Sequence, residues 1–155
     1  MASVPKPTRT PRKPRKAVPR VSGRPRKKKR SRGKRATDKA ILARCDKLWS
    51  LIVRSKGYCE VRQWFPHVCK GPLQAMHGIP RTYKATRWNL LNGFAGCAGA
   101  HLYLTWRPEE WSRYLVKAWG PEAFEELWVT ARRLAKPDAA AILAALEAEA
   151  SVRFR

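Results

Sequence analysis

The first 36 residues of the chain restrict what it can fold into more than any other feature. They contain 16 Lys and Arg, six Pro, no acidic residue and no aromatic residue. Such a segment cannot bury enough apolar surface to offset the entropy lost when a chain becomes ordered. We therefore expect residues 1–36 to be disordered and residues 37–155 to form one domain, which is long enough to build a core without disulfides.

The basic segment also indicates a class of partner. It carries +16 of the chain's net charge of +23, so the remaining residues carry +7, from 18 basic and 11 acidic side chains. Long runs of one charge are typical of tails that bind polyanions, and such binding is independent of sequence and sensitive to salt. The densest run predicts nucleic-acid contacts at Lys27, Lys28, Lys29 and Arg30. A targeting or solubilising role is the alternative.

The cellular compartment of a protein decides whether its cysteines can form stable disulfides. The chain has neither the apolar core of a secretory signal nor an apolar run long enough to cross a bilayer, which predicts a cytoplasmic protein without a membrane partner. In a reducing compartment, its four cysteines are expected to be buried or metal-bound rather than disulfide-bonded. Cys45 lies on the apolar stripe of a predicted helix, so we expect it to be buried.

Hydrophobic spacing predicts an α+β fold. A helix is expected from a cap at Thr37 and Asp38 to Gly57, followed by a hairpin with strands at "YCEV" (58–61) and "LQAMHGI" (73–79). A surface loop follows over 80–93. The remaining elements are expected to be helices at 97–106, at 108–120, from Pro121 through an inward-facing Leu134, and at 138–150. A small strand-bearing core at about 58–106 is thus preceded by one helix and followed by a helical extension at 108–150.

Cysteine and histidine side chains flank this core at spacings that suit a metal. Cys59 and Cys69 are ten positions apart, within reach of each other across the base of a hairpin. Cys97 and His101 are four positions apart, so on a helix they share a face and can meet one ion. The spacing alone leaves a zinc site and a set of buried thiols equally open.

His77, at the end of the second predicted strand, is the candidate for acid–base chemistry. A histidine with a pKa near 6.5 can accept a proton from water at neutral pH. The adjoining loop carries Arg81, Lys84 and Arg87, whose charges would attract a phosphodiester. A hydrogen-bonded structural role for His77 is the alternative.

The order of these residues resembles the HNH, or ββα-metal, endonucleases, and most closely the phage NinG-like recombination proteins. The resemblance covers about residues 45–111 and rests on "CDKLWSLIVRSKGYCE", "LQAMH", "ATRW", an Asn five residues before "CAG", and a final His. The residues that carry it are Cys59, Cys69, His77, Asn92, Cys97 and His101.

The resemblance implies an endonuclease that cuts DNA, including branched or recombination intermediates, in the cytoplasm of a phage host. His77 would be the general base, Asn92 would support the loop, and His101 would hold a divalent cation, Mg²⁺ or Mn²⁺. Cys59, Cys69 and Cys97 would bind a structural Zn²⁺. A homodimer would suit symmetrical cleavage, and a non-catalytic nucleic-acid-binding protein is the alternative.

Two positions depart from the family pattern. Ala100 stands where a fourth cysteine is expected, and Met76 stands where many HNH enzymes place an aspartate. The sequence leaves four outcomes open: a zinc site completed by His101, by His67 or by Cys45, or no zinc site.

Overall fold

The computed structural model describes residues 32–134 and 136–155. Its elements are α1 (Arg32–Arg54), a 3-10 turn (Pro66–Val68), β1 (Leu73–His77), β2 (Gly93–Cys97), α2 (Ala98–Thr105), α3 (Pro108–Trp119), α4 (Pro121–Ala131) and α5 (Ala139–Arg153). The predicted α+β class is confirmed. No helix among the described residues combines the length and the apolar character needed to cross a bilayer. Residues 1–31, with the predicted contacts at 27–30, lie outside the described residues.

Local signals set most helix bounds as predicted. Helices α3 and α4 begin at prolines, whose missing N–H is not needed in the first turn, and Gly120 at φ +82° separates them. The carboxylate of Asp138 caps α5 by accepting the N–H groups of Ala140 and Ala141. Leu134 is fully exposed, against the prediction, because α4 ends at Ala131.

Helix α1 begins at Arg32, five residues before the predicted cap at Thr37. The intervening residues are Arg, Gly, Lys, Arg and Ala, most of which are good helix formers. The last part of the segment that the sequence predicts to be disordered is therefore helical. The predicted boundary at residue 36 rested on charge and composition and took no account of helix propensity.

The two strands pair antiparallel, with Met76 opposite Phe94 and Ala75 opposite Ala95. The predicted first strand at 58–61 is wrong, since these residues form turns beside the free edge of β2. There the Glu60 N–H donates to the Ala95 carbonyl at 2.8 Å, and the Glu60 carboxylate accepts the Ala95 N–H at 2.6 Å. A turn with a carboxylate thus satisfies an edge that would otherwise need a third strand.

The sheet lies between two helical layers. On one face, Met76 and Phe94 share a core with Tyr114 and Leu115 of α3. On the other face, Ala95 packs in a second core that contains Trp49 and Val53 of α1 and Leu146 of α5. Cys45 belongs to this second core and is fully buried, as predicted, with its Sγ 3.7 Å from the carbonyl of Ala139.

The connection between the strands, residues 78–92, is irregular as expected but is not simply a surface loop. Its residues Thr86, Trp88 and Asn92 are buried. The Asn92 amide accepts the Ile79 N–H at 2.6 Å and donates to the carbonyls of Ile79 and Thr86, both at 3.0 Å. Asn92 therefore ties the two ends of the connection together through buried hydrogen bonds.

Candidate functional site

Three cysteine sulfurs converge at the end of β2. Sγ of Cys69 lies 3.4 Å from Sγ of Cys59 and 3.4 Å from Sγ of Cys97, and all three sulfurs lie within 4.8 Å of one another. Cys97 is the last residue of β2, and its N–H donates to Cys59 Sγ at 3.3 Å. The docking of Glu60 on the edge of β2 therefore also places Cys59 against Cys97.

Cys69 reaches the other two sulfurs because α2 begins close to the segment that carries it. The Gly99 N–H donates to the Lys70 carbonyl at 2.9 Å, and a Cβ atom at Gly99 would collide with the carbonyl oxygen of Val68. Only glycine permits this approach. Gly99 is thus needed for the geometry of the cysteine cluster, which we define as Cys59, Cys69 and Cys97.

The thiols of Cys69 and Cys97 differ in pKa. Burial, together with the thiols of Cys59 and Cys97, raises the pKa of Cys69 to about 12. Burial also opposes ionisation of Cys97, but the backbone N–H groups of Ala100 and Lys70 and the neighbouring thiols lower the pKa of Cys97 overall. Cys97 therefore ionises before Cys69.

The cysteine cluster fits a tetrahedral metal ion. Zn–S bonds of about 2.3 Å space the sulfurs of a zinc site about 3.8 Å apart, close to the two separations of 3.4 Å. Three sulfurs at such distances occupy one face of a tetrahedron. They could hold a metal ion, and the described residues add no other cysteine, histidine or carboxylate to the group.

The three substitutes for the fourth cysteine that the sequence left open lie elsewhere. Nδ1 of His101 is 2.7 Å from Gln74 Oε1. The His67 ring packs edge-on against Tyr103, with centroids 5.4 Å apart. Cys45 lies in the core between α1 and α5. At the fourth position itself, Ala100 is fully buried and carries only a methyl group.

His77 is the last residue of β1, at the opposite end of that strand from Leu73, which pairs with Cys97. Its side chain is held in two ways. Its ring stacks on the Trp49 indole, and its Nε2 lies 3.0 Å from the carbonyl oxygen of Arg87. A carbonyl oxygen only accepts hydrogen bonds, so Nε2 carries the proton and Nδ1 keeps a lone pair. The structure thus orients the lone pair of one particular ring nitrogen.

The same reasoning fixes the tautomer of His101. Its Nδ1 faces the amide oxygen of Gln74, an acceptor, so Nδ1 is protonated and Nε2 keeps the lone pair. Burial lowers the pKa of His101. Burial also lowers the pKa of His77, the charges of Arg87 and Arg81 act in the same direction, and the Arg87 carbonyl and Asp46 oppose them. Both rings are therefore neutral at pH 7.

Both histidines line one cavity of about 750 Å³, which we call the histidine cavity. The histidine cavity is also lined by Arg81 and Arg87, and Arg81 is exposed. Arg87 is held by Asp46, which accepts Nε at 3.0 Å and Nη2 at 2.7 Å. Lys84 is exposed and lies outside this lining.

Sequence reasoning missed several residues that build these sites. The hydrophobic spacing placed Trp49 and Asp46 on a helix but indicated no functional role for them. Their three-residue spacing puts both on the face of α1 that lines the histidine cavity. Gln74 and Glu60 have no local signal, because their partners are 27 and 35 residues away. Asn92 was found only through the family resemblance.

Comparison with known proteins adds no family assignment. No protein-family model matches the chain. No curated protein and no solved structure shows significant similarity to it. The cysteine cluster and the histidine cavity therefore rest on the geometry of this chain alone.

Proposed function

We propose that this protein is a metal-dependent HNH-type endonuclease that cleaves DNA phosphodiester bonds, including those of branched or recombination intermediates, with His77 as the general base. One observation carries the proposal. His77 and His101 line the same cavity, each with a neutral ring and with its remaining lone pair defined by the partner of its other nitrogen.

His77 would act through Nδ1. This atom accepts a proton from a water molecule, and the hydroxide forms a new P–O bond in line with the leaving oxygen. The P–O bond to the leaving oxygen breaks, and this oxygen takes a proton from solvent water. The proton on Nε2 stays with the Arg87 carbonyl, which keeps the ring in the orientation that presents Nδ1. Arg81 and Arg87 would bind the phosphate oxygens beside the bond that breaks.

The histidine cavity offers little to Mg²⁺, which prefers oxygen ligands. Asp46 is the only acidic residue that lines it in the described part of the chain, and both of its oxygens are taken by Arg87 and Trp88. Nε2 of His101 suits a transition ion such as Mn²⁺ or Ni²⁺ better. Such an ion, held by His101 with water and phosphate oxygens, would supply positive charge at the scissile phosphate.

The test is cleavage of duplex, flap and four-way DNA in Mg²⁺, Mn²⁺ or Ni²⁺. We expect wild type to cut with a transition ion, His77→Ala to lose roughly 10²- to 10⁴-fold in rate, and His101→Ala to lose its metal response. His67→Ala is the matched control, because His67 is exposed and lies outside the cavity lining. Equal cleavage by wild type and His77→Ala would refute the role of His77.

The engagement of both Asp46 oxygens favours a second candidate, a nucleic-acid-binding protein without catalysis. It predicts salt-sensitive DNA or RNA binding, no cleavage in any metal, and loss of most affinity when the basic tail is removed. The deletion should end at residue 31, because α1 begins at Arg32. Binding without cleavage by the full chain would select this candidate.

A further inference from the structure

The cysteine cluster opens onto a second large cavity. All three cysteines line a cavity of about 900 Å³, and exposed Tyr58, Arg62 and Lys70 line it with them. His77 and His101 do not line this cavity. A metal ion held by the cysteine cluster would therefore be reached by small molecules that do not enter the histidine cavity.

We infer that the cysteine cluster is a three-thiolate metal site whose fourth ligand is an exogenous small thiolate from the 900 Å³ cavity. The protein supplies three donors at the spacing of a tetrahedral face. Among the described residues no fourth donor joins them, and the residue at the expected position ends in a methyl group. A four-coordinate ion must then take its last ligand from outside the chain.

Thiolate is the class that the surroundings favour. An ion already held by three thiolates is soft, and soft ions prefer a further sulfur donor. The cavity is lined by the cations Arg62 and Lys70 and by one carboxylate, Glu60, which is engaged by Lys56 and the Ala95 N–H. The net positive charge of the lining favours an anionic ligand. Its volume is sufficient for a molecule much larger than water, so a small thiol can enter without displacing the chain.

Thiol binding at the cysteine cluster does not require nuclease activity. It can be tested on the full chain loaded with Co²⁺, because the visible absorption of Co²⁺ reports the number of sulfur ligands. The protein is prepared without thiol reductants and titrated with 2-mercaptoethanol. We expect the wild-type visible bands to shift and intensify as thiol is added, with saturation at one thiol per cobalt held by the cysteine cluster. The Ala100→Cys variant should show the four-sulfur spectrum from the start and should not respond to thiol.

Two further variants keep the result interpretable if Ala100→Cys does not fold. His101→Ala should leave both the wild-type spectrum and its thiol response unchanged, since His101 is bound to Gln74. His77→Ala should also leave them unchanged, which separates this site from the proposed nuclease activity. A wild-type spectrum that ignores added thiol, a loss of the wild-type spectrum in His101→Ala, or no cobalt binding would overturn the inference.

Discussion

The imidazole of His77 lies face to face with the indole of Trp49, with ring centroids 4.0 Å apart and planes 14° from parallel. Trp49 is itself fixed, because it is buried and its Nε1 donates to the Asn89 carbonyl at 3.1 Å. The proposed base is therefore positioned by a buried residue of α1.

Replacing Trp49 tests this positioning. We expect Trp49→Leu to lower the cleavage rate at least about tenfold, because the ring of His77 loses one of its two restraints. Trp49→Phe keeps an aromatic face and should retain more activity. Rates are compared per folded molecule, with folding followed by circular dichroism. Trp64→Leu, at a half-exposed tryptophan outside the histidine cavity, should cut like wild type. Wild-type rates in Trp49→Leu would show that stacking is irrelevant.

Asp46 is expected to position His77 through Arg87. The Asp46 carboxylate holds the Arg87 guanidinium and the Trp88 Nε1, and the Arg87 carbonyl holds His77. Asp46→Asn should lower kcat while KM changes little. Combining it with Arg87→Gln should give less than the sum of the two losses, since both changes break one contact.

The matched control for Asp46 is Glu149→Gln, which breaks an exposed ion pair with Arg153 on α5. Pairs of this kind contribute only about 0.3–0.5 kcal/mol, so both activity and stability should stay close to wild type. Fully additive losses in the double variant would remove Asp46 from the positioning of His77.

The pH profile of cleavage should follow the titration of His77. A general base works only when unprotonated, and burial lowers the pKa of His77, with Arg87 and Arg81 in support and Asp46 opposed. The rate should therefore rise with pH up to an inflection below about 6.5 and then level off. Arg81→Gln removes a positive charge and should move the inflection to higher pH. An NMR titration of His77 provides the direct check, and an inflection well above 6.5 would contradict the assignment.

Asn92 is expected to matter for stability. Asn92→Ala leaves the Ile79 N–H and two buried carbonyls without their partner, which should lower the free energy of unfolding by about 2 to 4 kcal/mol. Asn92→Asp should be at least as damaging at pH 7, because its carboxylate faces the same two carbonyls. Asn89→Ala, at an exposed amide of the same segment whose Oδ1 accepts the exposed Leu91 N–H, should change stability by about 1 kcal/mol or less. Chemical denaturation measures all three.

The sequence predicted elements whose signals are local. Proline and glycine mark the bounds of α3 and α4, and Asp138 marks the start of α5. Strand β2 was missed because all five of its residues are buried, so it shows no alternation of polar and apolar positions. Its pairing with β1 depends on contacts about 20 residues apart, such as Met76 with Phe94.

The candidate sites were also predicted only in part. Cysteine and histidine types indicated which residues to consider, and three of the four expected zinc ligands do meet. The sequence did not show which of these ligands meet at one site, because His101 forms a hydrogen bond with Gln74, 27 positions away. Spacing on one helix cannot distinguish a shared ion from two separate neighbours.

Helix α5 packs on α1, and it does so at Cys45, one residue before Asp46. The helix whose Trp49 stacks on His77 is therefore packed by an element that follows every residue of the histidine cavity in the sequence. Because domains fold as their parts emerge, a nascent chain that ends before residue 139 has every residue of the histidine cavity but not the packing that fixes α1. We expect the cavity to reach its final geometry only after α5 has been synthesised.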